Sequence, residues 1–237
     1  QIDPPIRIIG DPVLHKPGFE FPEGHSAEEF IELKNQIEIA KRDLILTGGV
    51  GIAANQCANI IEPYRFTIVG VYNDNPDHTR LTRKRYSVKF PDAMLMINPV
   101  ILEESKEMMT FKHGCLSVPG RLRGFIQTPK EIKVRYKTIN KNDEIITEEK
   151  TYEDLGAVVL KHELNHILDG KTYVDCCLKS ISSNDLSELN TTLMEDKTAR
   201  QENDEIERFP DLSFTEDYYP FVEIEEDTSK LNLNALK

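Results

Sequence analysis

Two stretches of the chain carry apolar residues at helical spacing, and a run of alternating or continuous apolar segments lies between them. Phe30, Leu33, Ile37, Ala40 and Leu44 make the first stripe, with Ser26 and Glu29 spaced as a capping box before it and Gly48-Gly49 as a stop after it. Leu155, Val158, Val159 and Ile167 make the second, with Thr151 and Asp154 as its start signal and Gly170 as its end. Phe66 to Tyr72 and Met94 to Leu102 read as buried strands. Glu131 to Thr138 alternates more regularly and reads as a strand paired through the turn-like Asn140 to Asp143. Residues 6 to 22 read as an irregular opening segment with a turn at Gly10-Asp11-Pro12. Beyond Ser180, Leu186, Leu189, Leu193 and Ile206 could share one helical stripe, and Phe209 to Glu226 is aromatic but broken by prolines. Helices flanking strands predict an α+β fold with a mixed or antiparallel sheet.

Length and charge refine this picture. A chain of 237 residues fits one domain with an appendage. Residues 1–180 are expected to hold the domain and 181–237 an acidic extension. The net charge is −12, and Lys171 to Lys237 holds 16 acidic against 7 basic residues, so the body is nearly neutral. That balance gives no electrostatic footprint for nucleic acid or an anionic membrane. No apolar run is long enough to span a bilayer, and the first residues show neither a signal-peptide nor a transit pattern, though a leader could have been trimmed. Asn73 to Asp92, with Arg80, Arg83, Lys84, Arg85 and Lys89, reads as a solvated basic insertion. Cys57, Cys115, Cys176 and Cys177 lack the spacing of a disulfide framework, which suits a reducing compartment.

The chemistry is concentrated in His162-Glu163-Leu164-Asn165-His166. Histidines four residues apart on a helix face one side and can hold one metal ion, with a carboxylate between them within reach of a water on that metal. Leu155, Val159, His162 and His166 step by helical intervals, so the imidazoles continue an apolar stripe into a dry site. An open catalytic site of this kind wants a third protein ligand. Asp169 is too close on the same helix, and Asp175 and Glu188 have no supporting motif. Cys115, in the turn-rich run His113-Gly114-Cys115-Leu116-Ser117-Val118-Pro119-Gly120, could supply a thiolate or could simply be a buried structural cysteine. Gly49-Val50-Gly51-Ile52-Ala53-Ala54-Asn55-Gln56 permits close backbone approach and offers an amide donor, but lacks the rest of a phosphate loop.

In this order the three segments resemble the peptide deformylase family, which carries Gly-X-Gly-hydrophobic-Ala-Ala-X-Gln, Glu-Gly-Cys-hydrophobic-Ser and His-Glu-X-X-His. Gly10-Asp11-Pro12-Val13-Leu14 resembles the N-terminal segment of the organellar type, and Gly170 to Asp175 resembles the strand after the metal helix. The resemblance covers roughly residues 6 to 180. It implies sheets wrapped around a central metal-binding helix. It also implies one divalent metal on Cys115, His162 and His166, often iron(II), with zinc, nickel or cobalt able to replace it.

Glu163 would then take a proton from water for attack on the formyl carbon of an N-formylmethionyl peptide, while the Gln56 amide and the Leu116 N–H donate to the oxyanion. The backbone at Val50, Gly51 and Gly114 would bind the peptide as an added strand, and Leu155, Val158 and Val159 match the methionine-pocket wall. Formylated initiators belong to bacteria and organelles. The organellar-type segment and the long insertion favour a mitochondrion, with the ribosome as the place of encounter; the bacterial cytoplasm is the alternative. No partner for the acidic tail is readable.

Two positions depart from the family pattern. His113 stands where the family has Glu, and Thr128 where it has Arg, a pair the resemblance places as a salt bridge behind the metal loop. Losing one member alone would strand a charge. His113 could support the loop or approach the metal. These departures leave two further readings: a metal-binding homologue with a structural role, and an amidase or peptidase of different acyl specificity.

Overall fold

The computed structural model describes residues 5–72, 92–118, 124–178, 180–182 and 223–225. Helix α1 spans Ala27–Thr47. Its start is the expected capping box: Glu29 N donates to Ser26 Oγ at 3.1 Å and Ser26 N donates to Glu29 Oε2 at 2.6 Å. Its end is Gly48, which takes the left-handed conformation at φ 65°.

Strands β1 (Gly51–Ala53), β2 (Phe66–Val69), β3 (Met94–Glu104), β6 (Glu131–Ile139) and β7 (Ile145–Glu153) form one sheet in that spatial order, every neighbour antiparallel. Strands β4 (Met108–His113) and β5 (Gly124–Pro129) make a separate antiparallel pair. Helix α2 (Asp154–Asp169) follows β7 directly, a single helical turn α3 (Tyr173–Cys176) comes next, and β8 (Ser180–Ser182) pairs in parallel with β9 (Glu223–Glu225).

Period-two alternation divides the sheet between two cores. Phe66, Ile68 and Ile97 pack with Leu33, Ile37, Ala40 and Leu44 of α1. Val69 and Met96, next to them in the same strands, pack with Val134, Tyr136 and the α2 residues Ala157, Val159, Leu160 and Leu164. The second core therefore anchors the helix that bears both histidines. Burying the larger of these aliphatic side chains contributes about 1.5–3 kcal/mol each, so the histidines ride on a stiff support.

The structure corrects several expectations. β2 stops at Val69, because Gly70 turns the chain at φ 106°, and β3 runs on to Glu104 through two register shifts. Thr151 does not cap α2; it lies in β7, paired with Lys133 of β6. The long β6–β7 ladder carries the chain up to the helix, and Asp154 absorbs the change of direction at φ 48° with its N–H on Lys130 O at 2.8 Å. Residues 170 to 175 are not a strand. Thr172 and Asp175 form a local capping box, Thr172 N donating to Asp175 Oδ2 at 2.8 Å, which winds α3 instead. The basic segment before Asp92, and Leu186, Leu189, Leu193, Ile206 and Phe209, lie outside the described residues.

Candidate metal centre

His162 and His166 stand one turn apart on α2 with ring centroids 5.0 Å apart. The turn leaving β4 carries Cys115 to them, its Sγ 3.2 Å from His166 Nε2. One donor atom from each of Cys115, His162 and His166 lies within 4.8 Å of the others. Around a tetrahedral ion with bonds of about 2.0–2.3 Å, ligand atoms stand about 3.3–3.8 Å apart, so shifts of about 1 Å or less would close the three on one ion.

Burial sets the electrostatics. Desolvation lowers His162 to about 4 and holds His166 well below its ordinary value, so both imidazoles are neutral, the form that binds metal. The same burial pushes the Cys115 thiol up to about 12 and the Glu163 carboxyl well above the usual carboxylate range. Two latent anions thus face each other, and among the described residues no cation is paired with either. Glu163 Oε2 is buried and, among the described residues, has no partner; leaving such an atom unpaired costs about 1–3 kcal/mol. One sulfur and two imidazole nitrogens suit zinc, iron(II), cobalt or nickel rather than magnesium or calcium. The residues fit a transition-metal ion.

Glu163 depends on a glycine. A Cβ on Gly51 would lie 2.7 Å from Glu163 Oε1 and 2.8 Å from its Cγ, so only glycine leaves the carboxylate its seat. Five residues on, Gln56 is almost fully buried, and its amide orientation is dictated by its partners. Ala53 N donates to Gln56 Oε1 at 2.9 Å, which turns Nε2 toward Ser117 Oγ at 3.1 Å and Cys115 Sγ at 3.6 Å. The amide donor therefore sits at the edge of the donor group. Among the described residues, the Leu116 N–H has no hydrogen-bond partner.

Of the remaining expected residues, Val50 accepts from Gly70 N at 2.9 Å and Gly114 is exposed beside Cys115. Val159 belongs to the core between α2 and the sheet, and Leu155 packs against it. Val158 is buried outside that core, one turn before His162. His113 does not join the three donors; its Nδ1 lies 3.1 Å from His162 Nδ1, with the two rings stacked at 20°. Thr128 is fully buried in β5. Both departures from the family pattern are thus buried and uncharged.

Three supporting residues escape a reading of the sequence alone. Ser117 holds Gln56. Asn55 donates through Nδ2 to His166 O at 2.7 Å, Lys16 O at 3.1 Å and Leu14 O at 3.2 Å, tying the segment after β1 to α2. Arg7 is buried, and its guanidinium donates to the carbonyls of Cys57 and Ile60 just beyond Gln56. Ser117 and Asn55 occupy positions inside the recognisable motifs, and that is the only signal they give. Arg7 gives none.

On this frame and with this donor set, the chain falls among metal-dependent hydrolases of α+β architecture. More narrowly, it belongs to the polypeptide deformylase family, whose model matches residues 4–183. It is similar to the peptide deformylase of Mycolicibacterium smegmatis, with 35% identity over 177 residues covering 72% of this chain and 79% of that protein. It is also similar to peptide deformylase 1A, chloroplastic/mitochondrial, of Arabidopsis thaliana, with 32% identity over 179 residues covering 73% of this chain and 60% of that one. Among solved structures it resembles the Met-Ala-Ser-bound class I type b peptide deformylase of Acinetobacter baumannii, at TM-score 0.54 and 26% identity, over 74% of this chain and 99% of that one.

Proposed function

We propose that this protein removes the formyl group from N-formylmethionyl peptides, releasing formate and a free α-amine. The observation that carries the reading is the buried Glu163 carboxyl, lodged against Gly51 beside Cys115, His162 and His166 with the Gln56 amide at the edge of the group. A divalent ion held by Cys115, His162 and His166, iron(II) by preference with zinc, nickel or cobalt able to serve, supplies Lewis acidity and an activated water.

Glu163 would, as a carboxylate, take the proton of the attacking water and later return it to the departing amine. Gln56 Nε2 and the Leu116 N–H donate to the oxygen of the formyl group as charge builds on it. One such donor is worth about 10²–10³ in rate. The backbone of Val50, Gly51 and Gly114 holds the peptide main chain, and Val158, with Leu155 and Val159 behind it, lines the methionine side. A related enzyme has been crystallised with Met-Ala-Ser, the deformylated form of such a peptide.

Residues 1–180 carry this activity, with 181–237 as an acidic extension, and the peptide is met at the ribosome. The compartment we favour is a mitochondrion, supported by the organellar-type segment at Gly10 to Leu14 and by similarity to a chloroplastic/mitochondrial relative; a bacterial cytoplasm also makes formylated chains. The test is formate release from formyl-Met-Ala-Ser by iron- or cobalt-loaded protein. Release that is lost in Glu163→Gln, with metal retained, is expected. No release from the wild type, or undiminished release from the variant, overturns the proposal, and faster cleavage of an acetyl or internal amide replaces it with another acyl specificity.

A further inference from the structure

One residue near the start of the chain holds the carbonyls of Gln56 and of its neighbours on both sides. The backbone N–H of Arg7 donates to Gln56 O at 2.7 Å. Its guanidinium takes the rest: Nη1 donates to Asn55 O at 3.3 Å and to Cys57 O, while Nη2 donates to Ile60 O at 2.6 Å and to Ala58 O at 3.4 Å. Arg7 is only 7% exposed, and Asp11 Oδ2 lies 3.5 Å from its Nε, so the planar fork is held on its third side as well. Ala54–Gln56 is a short 3₁₀ turn, a form that needs outside support. The carbonyls at its end find their donors on Arg7, and hydrogen bonds from a charged donor are roughly twice as strong as neutral ones.

Two residues later the same segment reaches the other side of the Gln56 amide. Ile9 N donates to Ser117 O at 2.8 Å, and Ser117 Oγ accepts from Gln56 Nε2 at 3.1 Å. Arg7 to Ile9 thus grips the main chain of both partners in the contact that aims the amide at the donor group. Each of these Arg7 hydrogen bonds ends on residues 55–60, and none on Cys115, His162 or His166.

Resting on the reading of Gln56 as a donor to the formyl oxygen, we propose that Arg7 is a positioning residue for deformylation: by fixing the carbonyls around Gln56 it sets where Nε2 meets the developing charge. Its effect passes through Gln56, so it belongs in kcat rather than in KM or metal affinity. Lysine cannot replace it fully, because one ammonium nitrogen cannot serve Asn55 and Cys57 and at the same time Ala58 and Ile60. An arginine that only stabilised the fold would act equally whatever stood at position 56.

The test is a double-mutant cycle on cobalt-loaded protein, reading formate release from formyl-Met-Ala-Ser at saturating peptide, with KM and cobalt content alongside. Expected for Arg7→Met is a fall in kcat of about 10- to 100-fold, the cost of a donor displaced by up to about 1 Å, with KM within about twofold of wild type and cobalt content unchanged. In the Gln56→Ala background the same substitution should cost less than about threefold. Should Arg7→Met fail to fold, Arg7→Lys carries the cycle, with an expected loss of about 3- to 10-fold. Wild-type kcat in the folded variant, an equal loss with and without the Gln56 amide, or a loss traced to KM or cobalt overturns the proposal. Failure of both variants to fold makes Arg7 a residue of the fold rather than of the reaction, and also overturns it. No formate from the wild type, or a full rate from Gln56→Ala, removes the reading of Gln56 beneath it as well.

Discussion

Adding one methyl group at Gly51 should disable catalysis while sparing the metal. The new Cβ would stand 2.7 Å from Glu163 Oε1, 2.8 Å from Cγ and 3.0 Å from Cδ. Ordinary contact begins near 3.4 Å, so the carboxylate must retreat by roughly 0.5–1 Å, and with Glu163 buried and Gly51 paired to Val69 there is little slack on either side. Misplacing a reacting group by 1 Å costs on the order of 10²-fold. We therefore expect kcat for formate release by Gly51→Ala to fall about 30- to 100-fold, or about 2–3 kcal/mol in the barrier. Metal content should be unchanged, because the three atoms nearest to the added Cβ all belong to Glu163 and none to Cys115, His162 or His166. The assay is formate release at full metal occupancy with the thermal midpoint measured alongside. A double-mutant cycle sharpens it: Glu163→Gln should cost less in the Gly51→Ala background than in the wild type, since the base is already displaced. A kcat within about twofold of wild type, far less than the cost of a misplaced base, or a fall explained by lost metal, refutes the steric argument.

Ser117→Ala frees the Gln56 amide from its 3.1 Å partner; kcat should fall less than the roughly 10²–10³-fold expected of Gln56→Ala, and an equal or larger loss would mean that Ser117 does more than hold Gln56. Metal uptake should release protons: with the thiol pushed up to about 12 and His162 down to about 4, Cys115 is protonated and His162 neutral at pH 6 to 8, so the thiol proton leaves and the imidazole loses none. A second proton follows if the raised Glu163 carboxyl ionises with it, and affinity should climb about tenfold per pH unit for each proton released. Calorimetry in buffers of different ionisation heat counts them, and a count of zero contradicts the burial argument. His113→Glu would leave a buried carboxylate with no cation on its strand partner Gly124, costing about 3–5 kcal/mol in chemical denaturation. Adding Thr128→Arg, four residues along β5 from Gly124 and so about 13 Å away, should recover little of that loss, and recovery of most of it would mean that the two side chains meet.

How far the sequence reached depended on whether the deciding interaction was local. The α1 capping box and its Gly48 stop involve residues three apart or adjacent, and both are readable as spacing. The start of α2 was not, because the β6–β7 ladder, formed between strands, overrides the cap that Thr151 and Asp154 advertise. The candidate site shows the same division. His162 and His166 meet because of helical pitch alone, whereas Cys115 reaches them only through the β4–β5 hairpin, and nothing in its own neighbourhood distinguishes a ligand from a packed thiol. Family resemblance supplied that link before geometry could.

His113 is the sharper case. Spacing put it two residues before Cys115 and so near a metal, yet the structure sets it against His162 Nδ1 and outside the group of three donors. A single histidine there can accept from His162 without bringing a charge, and Thr128 then has no charge to balance. Both departures remove a charge from the β4–β5 hairpin, and they leave a neutral ring in place of a carboxylate against His162. Among the described residues the exchange leaves two buried polar atoms without a hydrogen-bond partner, His113 Nε2 and Thr128 Oγ1, each at a cost of about 1–3 kcal/mol.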